Sequence, residues 1–320
     1  MAAKTDYVLN WSDYAMGSKA ALKGLGATFI AAPRSLSDER IKQLIKKYLP
    51  AGNIVWGIAE GEAYIKGFEG QPQFRTLTQK QLLPWVEKIN TQSPTRKIYM
   101  LRYKQRDLEH LLRPLKAKQY VFIRGSWQYT LHTSAVFYKL VQLGKLPLYV
   151  SPFASEDEAR LFASSTETIG LTNEKALKSK ADFIKACFEV AKASYDHSFQ
   201  VGAILAERSK EGYSFRAAQH NRVVPYETFA MHRGFSREDN YAPSNDQNFY
   251  DTTHAETALL LGRPLPEHPA LFVNVLPCPT CSRNIIAAGV REVYYALDHS
   301  DGYATRMFHA AGIICERIVT

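Results

Sequence analysis

Residues 254–256 read His-Ala-Glu, and residues 271–288 read LFVNVLPCPTCSRNIIAA. The second stretch carries the local fold. A β-rich apolar run, Leu271–Val275, passes through Pro277 and Pro279 into a helix-like run, Ser282–Ala288, with Cys281 at its start. A similar transition precedes it, where a polar loop ends at His254 and a helix is predicted over Ala255–Leu261. His254, Cys278 and Cys281 therefore stand at two helix N-termini, where amide dipoles lower a thiol's pKa and favour metal-binding thiolates. Structural zinc sites take four Cys or His ligands, whereas catalytic ones take three and keep a position for water. The three ligands here, with the unligated carboxylate of Glu256, read as an open site for one catalytic Zn2+. Water polarised there would pass its proton to Glu256. A lone Cys-x-x-Cys also suits a redox pair or a structural half-site; the histidine and carboxylate in this order favour the catalytic one.

Outward from this centre, a helix is predicted over Asn173–Asp196, on the helical spacing of Ala176, Leu177, Phe183, Ile184, Cys187, Phe188, Val190 and Ala191. Gln200–Ala206 reads as a strand, and Phe215–His220 as its hairpin partner across the polar turn at Ser209–Gly212. Arg222–Thr253 is long, polar and rich in turn residues, a length that in a compact domain goes with function or with partial disorder.

The first half alternates between short apolar runs and helix-like stretches. Strands are predicted at Ala27–Ala32, Asn53–Ala59, Lys97–Arg102, Gln119–Arg124 and Leu146–Val150. Helices are predicted at Ser37–Tyr48, Leu82–Asn90, Arg106–Leu115 and Thr133–Leu143. This pattern predicts βαβ units and a Rossmann-like α/β domain over residues 1–165, with a linker at 166–172 in the polar stretch from Ser164 to Gly170. A second domain then spans 173–320. Neither Gly17-Ser18-Lys19 nor Gly24-Leu25-Gly26 has the context of a phosphate-binding loop. Ile123–Trp127 is better placed, at the carboxyl end of a strand, where open α/β sheets bind ligands.

The net charge of +9 over 320 residues is unevenly distributed. Residues 1–165 carry a balance of +11 and residues 166–320 one of −2. A basic half suits a nucleic acid, an anionic small ligand or a solvated surface. Four cysteines, two of them in the metal motif, do not make a disulfide framework. Cys187 and Cys315 read as small buried hydrophobes, and a reducing, cytoplasmic compartment is expected. No apolar run has the length of a membrane span, so no membrane partner is expected.

From about Phe183 to Ile318 the chain resembles deoxycytidylate deaminases, the nucleotide branch of the cytidine deaminase fold. The resemblance is carried by Gln200–Ala203, His254–Glu256, Pro277–Cys281, Ile285–Val290, Val293–Tyr295 and Ala310–Ile313. It implies an α/β/α domain with a mixed central sheet, zinc on His254, Cys278 and Cys281, and Glu256 as the proton shuttle. Substrate contacts fall by resemblance on Asn221, Arg222, Val201, Ala255, Pro277 and Tyr295. Asn221 matches an asparagine that contacts the sugar, but Arg222 replaces the glycine that follows it, and His299 stands where many relatives carry tyrosine. The guanidinium of Arg222 suits a phosphate, or else the substrate differs; control by deoxynucleotide triphosphates is equally open. The expected reaction is hydrolytic deamination of a cytosine nucleotide, dCMP to dUMP plus ammonia, by a homo-oligomer. Two alternatives stand beside it: a tRNA or single-stranded DNA deaminase that uses the basic first half as its platform, and a non-catalytic zinc-binding regulatory protein.

Overall fold

Apolar runs flanked by turn residues become strands in the first half because both of their faces are covered. The computed structural model describes residues 15–16, 22, 24–32, 35–59, 77–103, 108–124, 135–167, 177–194, 200–223, 232, 252–261, 263–298 and 302–319. The chain divides into two compact units, one of residues 1–62, 75–158 and 232–244, the other of residues 63–74, 159–231 and 245–320.

The first unit holds β1 (Ala15–Met16), β2 (Thr28–Ala32), β3 (Ile54–Ala59), β4 (Ile98–Tyr103), β5 (Gln119–Ile123) and β6 (Leu148–Val150). They form a sheet in the order β1-β4-β3-β2-β5-β6. All neighbours are parallel except β1, which runs antiparallel to β4. Four helices, α1 (Asp38–Tyr48), α2 (Gln79–Gln92), α3 (Leu108–Leu115) and α4 (Ala135–Gln142), lie between successive strands. The two-residue period sends Phe29, Val55, Leu101 and Phe122 to one face, against Leu111, Leu112 and Leu140 of α3 and α4. Ile30, Trp56, Met100 and Val121 point the other way, against Ile41, Leu44 and Leu82 of α1 and α2. Serine and threonine start the helices as expected of caps: Ser37 Oγ accepts the Arg40 N–H at 3.1 Å, and Thr78 forms a capping box with Gln81.

A further helix, α5 (Glu156–Glu167), corrects the reading of Ser164 onward as linker. Ser164 fits a helix by bonding locally, its Oγ donating to Leu161 O at 2.9 Å. Residues 168–172, the rest of the expected linker, lie outside the described residues, as do the Gly17–Lys19 stretch, residues 125–127 of the Ile123–Trp127 loop, and His299.

The second unit continues with α6 (Lys180–Ala191), shorter than the helix expected over 173–196. Ser179 sets its start through a capping box with Asp182, which ends the backbone's freedom to be helical further upstream. There follow β7 (Gly202–Ser209) and β8 (Gly212–His220), paired as the expected hairpin, and the short β9 (Arg222–Val223) and β10 (Thr252–Thr253). The remaining elements are α7 (Ala255–Leu260), β11 (Pro269–Val275), α8 (Pro279–Ala288), β12 (Glu292–Leu297), α9 (Tyr303–Ala310) and β13 (Ile314–Arg317). The main sheet runs β13-β12-β11-β7-β8 and is mixed: β11 is parallel to β12 and antiparallel to β7, and β12 is parallel to β13.

One face of this sheet packs on α6, where Phe183, Phe272 and Tyr294 stack with centroids 4.6 and 4.9 Å apart. Leu205, Val273, Val293 and Tyr295 face the other way, onto Leu259, Ile285 and Phe308 of α7, α8 and α9. The result is an α/β/α layering in which the two metal-motif helices share one face. At Gly202 the sheet comes so close to α6 that a Cβ would lie 2.1 Å from the Cys187 carbonyl oxygen. All four cysteines are free, and Cys187 is fully buried, whereas Cys315 is only partly buried, a correction to its expected core position on the edge strand β13. No helix among the described residues is long and apolar enough to cross a membrane.

Candidate metal centre and active site

Two chain reversals build the centre. His254 is the N-cap of α7, with extended backbone and no side-chain capping bond, so its ring is not spent on the helix end. Cys278 is the N-cap of α8, and its sulfur accepts the Cys281 N–H at 3.5 Å. Helix α8 begins at Pro279, the favoured first helical position for proline, so Cys281 lies within the first turn instead of ahead of the helix. Ser282 Oγ closes the turn on the Cys278 carbonyl at 2.9 Å.

These ends place His254 Nδ1 3.2 Å from Cys281 Sγ and 3.5 Å from Cys278 Sγ. The three ligand atoms all lie within 4.8 Å of one another. Donors about 2.3 Å (S) and 2.0 Å (N) from a tetrahedral zinc ion are separated by roughly 3.5 Å, so the set fits the metal in both chemistry and spacing. Among the described residues it is the one group of three or more such side chains disposed in this way.

The electrostatics agree with thiolate ligation. Cys278 is held down to about 3, chiefly by the hydrogen bond from Cys281, with His254 assisting, and Cys281 is pushed up as it shares that proton. Without metal, the pair thus carries one negative charge, ready to bind a cation. Glu256, in the first turn of α7, is 3% exposed. Burial raises its pKa, opposed by the charge of His254 and by a hydrogen bond to Cys281. A carboxyl that holds its proton more tightly than usual suits work near neutral pH.

The candidate substrate residues separate into distinct environments. Asn221 is buried, and its Oδ1 accepts the Val201 N–H at 2.8 Å while its own N–H donates to the Val201 carbonyl at 3.0 Å. Arg222 is partly exposed and pairs with Thr253, one residue from His254. Ala255 is fully buried, Pro277 is buried beside Cys278, and Val201 packs on the same apolar cluster as Ala255 and Cys281. Tyr295 is a core residue of β12, 8% exposed, in that cluster. Of the long Arg222–Thr253 stretch, residues 224–231 and 233–251 lie outside the described residues.

Three residues not singled out from the sequence also build the site. Thr257 Oγ1 lies 3.6 Å from Cys281 Sγ, and Asn284 Nδ2 donates to Thr257 Oγ1 at 3.5 Å. Thr257 was accessible to helical spacing, since three residues on from His254 is the same face. Asn274, 2% exposed, accepts the Gly202 N–H at 3.0 Å and donates to the Gln200 carbonyl at 3.0 Å. With Asn221 it grips the entry to β7 from both sides. That role has no local signal, because its partners are distant in sequence.

Comparison with known proteins bears on the same region. Residues 177–297 match the family model described as the cytidine and deoxycytidylate deaminase zinc-binding region. ComE operon protein 2 of Bacillus subtilis is 34% identical over 79 residues, covering 23% of this chain and 41% of that protein. The chain thus spans less than half the length of this curated relative. Among solved structures, the dCMP deaminase of cyanophage S-TIM5 in complex with dCMP and dUMP is 22% identical, with a TM-score of 0.35 over 43% of this chain and 96% of that one. The guanine deaminase from Nitrosomonas europaea is 22% identical, with a TM-score of 0.30 over 49% and 84%. Residues 177–297 are thus similar to the cytidine and deoxycytidylate deaminase zinc-binding region, and His254, Cys278 and Cys281, the group that could hold a metal ion, lie within that match.

Proposed function

We propose that the second unit hydrolytically deaminates a cytosine nucleotide, with dCMP converted to dUMP and ammonia as the leading reaction. The observation that carries this is the buried, proton-retaining carboxyl of Glu256 against a three-ligand metal set at two helix N-termini. Zinc on His254, Cys278 and Cys281 would supply Lewis acidity, bringing water within reach of ionisation near neutral pH. Glu256 then takes that proton, delivers it to ring N3, and conveys a second to the departing amine as C4 gains oxygen and loses nitrogen. Arg222, beside the ligand strand and partly exposed, is placed to pair with a phosphate. Asn221 acts first on the protein, through Val201, and a sugar contact is assigned to it by resemblance alone. Val201, Ala255, Pro277 and Tyr295 supply the apolar wall around the base.

For the first unit, the parallel order β4-β3-β2-β5-β6 with helices on both faces supports a Rossmann-like reading. We take the protein as a cytoplasmic homo-oligomer. Incubation of the zinc-loaded chain with dCMP, dCTP, cytidine, guanine and a cytosine-containing oligonucleotide, read as ammonia release, tests the proposal. Turnover of dCMP supports it; release from the oligonucleotide alone would transfer the activity to a polynucleotide deaminase with the basic half as platform, and none from any substrate would leave a regulatory zinc protein.

A further inference from the structure

Arg208, Lys210, His268 and Arg291 surround one cleft at an end of the second unit's main sheet. Its volume of about 800 Å³ lies within the range of small-molecule sites, and every lining residue belongs to that unit. Pro269, Ile286, Val290 and Ile313 give it an apolar floor. The cleft opens where β11 begins, whereas Cys278 and Cys281 follow the end of that seven-residue strand, roughly 20 Å away. It is therefore separate from the metal centre.

The positive charge is concentrated here. Residues 166–320 carry a balance of −2, yet the lining holds three permanent cations, Arg208, Lys210 and Arg291, against one carboxylate, Glu292. That carboxylate is 7% exposed and already engaged, by Arg208 and by the hydroxyls of Tyr213 and Tyr294, which donate to it at 2.9 Å. Half of the Arg208 side chain stays exposed, so Glu292 aims the guanidinium without covering it. Lys210 and Arg291 are exposed, and among the described residues no carboxylate pairs with either.

The backbone beneath these cations is fixed. The Arg208 N–H donates to the His268 carbonyl at 2.9 Å, the Arg291 N–H donates to the Pro269 carbonyl at 3.1 Å, and the Arg291 carbonyl accepts the Ile314 N–H at 3.1 Å. Ser209 Oγ closes the turn that carries Lys210, donating to the Gly212 carbonyl at 3.3 Å and accepting the Glu211 N–H at 3.2 Å. Such a frame needs little ordering to bring its cations onto one anion.

Helices α8 and α9 also end at the cleft, and helix C-termini suit cations. The carbonyls of Ile285, Ile286, Phe308 and His309 are taken, however, by the N–H groups of Val290, Gly289, Ile313 and Gly312, at 2.9 to 3.3 Å. These four carbonyls form no cation cage, and the partial charge at an exposed helix end is small beside three full ones.

We infer that this cleft binds a phosphorylated small molecule, its phosphate held by Arg208, Arg291 and Lys210 and its body resting on the apolar floor. The site is independent of the deamination reading. The test is calorimetric titration of the full-length, zinc-loaded chain with phenyl phosphate, which joins a phosphate to an apolar body. One saturable site per chain is expected, weakening as salt rises. Arg291→Gln and Lys210→Gln should each weaken binding about tenfold or more, the loss of one charge-assisted contact, with zinc content unchanged. Both side chains are exposed, so the fold should persist; Arg208 is left in place, since its removal strands the buried Glu292. If Arg291→Gln misfolds, Lys210→Gln decides. Arg222→Gln, at the metal centre, should bind phenyl phosphate as wild type does. Absence of saturable binding, or binding that Arg222→Gln abolishes and the cleft variants spare, overturns the inference.

Discussion

Replacing Glu256 with glutamine separates metal binding from proton transfer. The side chain is 3% exposed in the first turn of α7, and glutamine preserves its volume, so no cavity opens. The three ligand atoms belong to His254, Cys278 and Cys281, so zinc content should remain at one per chain. What is lost is the capacity to take a proton and return it. Positioned acid–base groups contribute about 10²- to 10⁴-fold to a rate, equivalent to about 3 to 5 kcal/mol in the barrier. Burial already disfavours the ionised carboxylate here, so a neutral amide should not lower the thermal midpoint. The assay pairs ammonia release from dCMP with metal analysis and a thermal scan on the same preparation. Glu256→Gln activity within about tenfold of wild type, with zinc in place, would refute the shuttle role, because it falls below the range for such a group.

Other consequences are open to measurement. Gly202→Ala places a methyl 2.1 Å from the Cys187 carbonyl oxygen and 2.6 Å from the Ala191 nitrogen, both backbone atoms. It should cost about 3 kcal/mol, read as a lower urea midpoint with unchanged slope. Chelation should expose Cys278 as a thiolate, since its pKa is held to about 3, so iodoacetamide should label one cysteine of the pair near pH 6, and added zinc should suppress labelling. Asp182 is held below its usual range by the Ser179 N–H and hydroxyl and the Lys178 N–H. Its stabilisation is therefore present at neutral pH and lost as pH falls through the carboxylate range. Asp182→Asn should lower the thermal midpoint at pH 7, and the gap to wild type should close on acidification.

Much of the metal centre was legible before folding. His254, Glu256, Cys278 and Cys281 sit within two or three residues of one another in pairs, and local geometry at a helix start dictates how such neighbours point. The helix starts were legible for a similar reason, as at Ser37, where a cap needs only nearby backbone. The expected helix over 173–196 was too long, because apolar spacing continues past points where Ser179 and the turn after Ala191 compete with it. Helix α5 was hidden by serines and threonines that read as a linker. The short β9 and β10 were hidden by their length, two residues being too few for a pattern.

What this chain's sequence determines alone is therefore local: the candidate ligand types, their order, the carboxylate two residues from the histidine, and the alternation of strands and helices. Tertiary structure decided which distant pieces meet. It brought the imidazole of one helix start within 3.5 Å of both sulfurs of another. It also spent Asn221 on Val201 and paired Asn274 with Gly202 and Gln200. Hydrogen-bond partners and strand order depend on contacts far apart in the chain, and no spacing rule reaches across them.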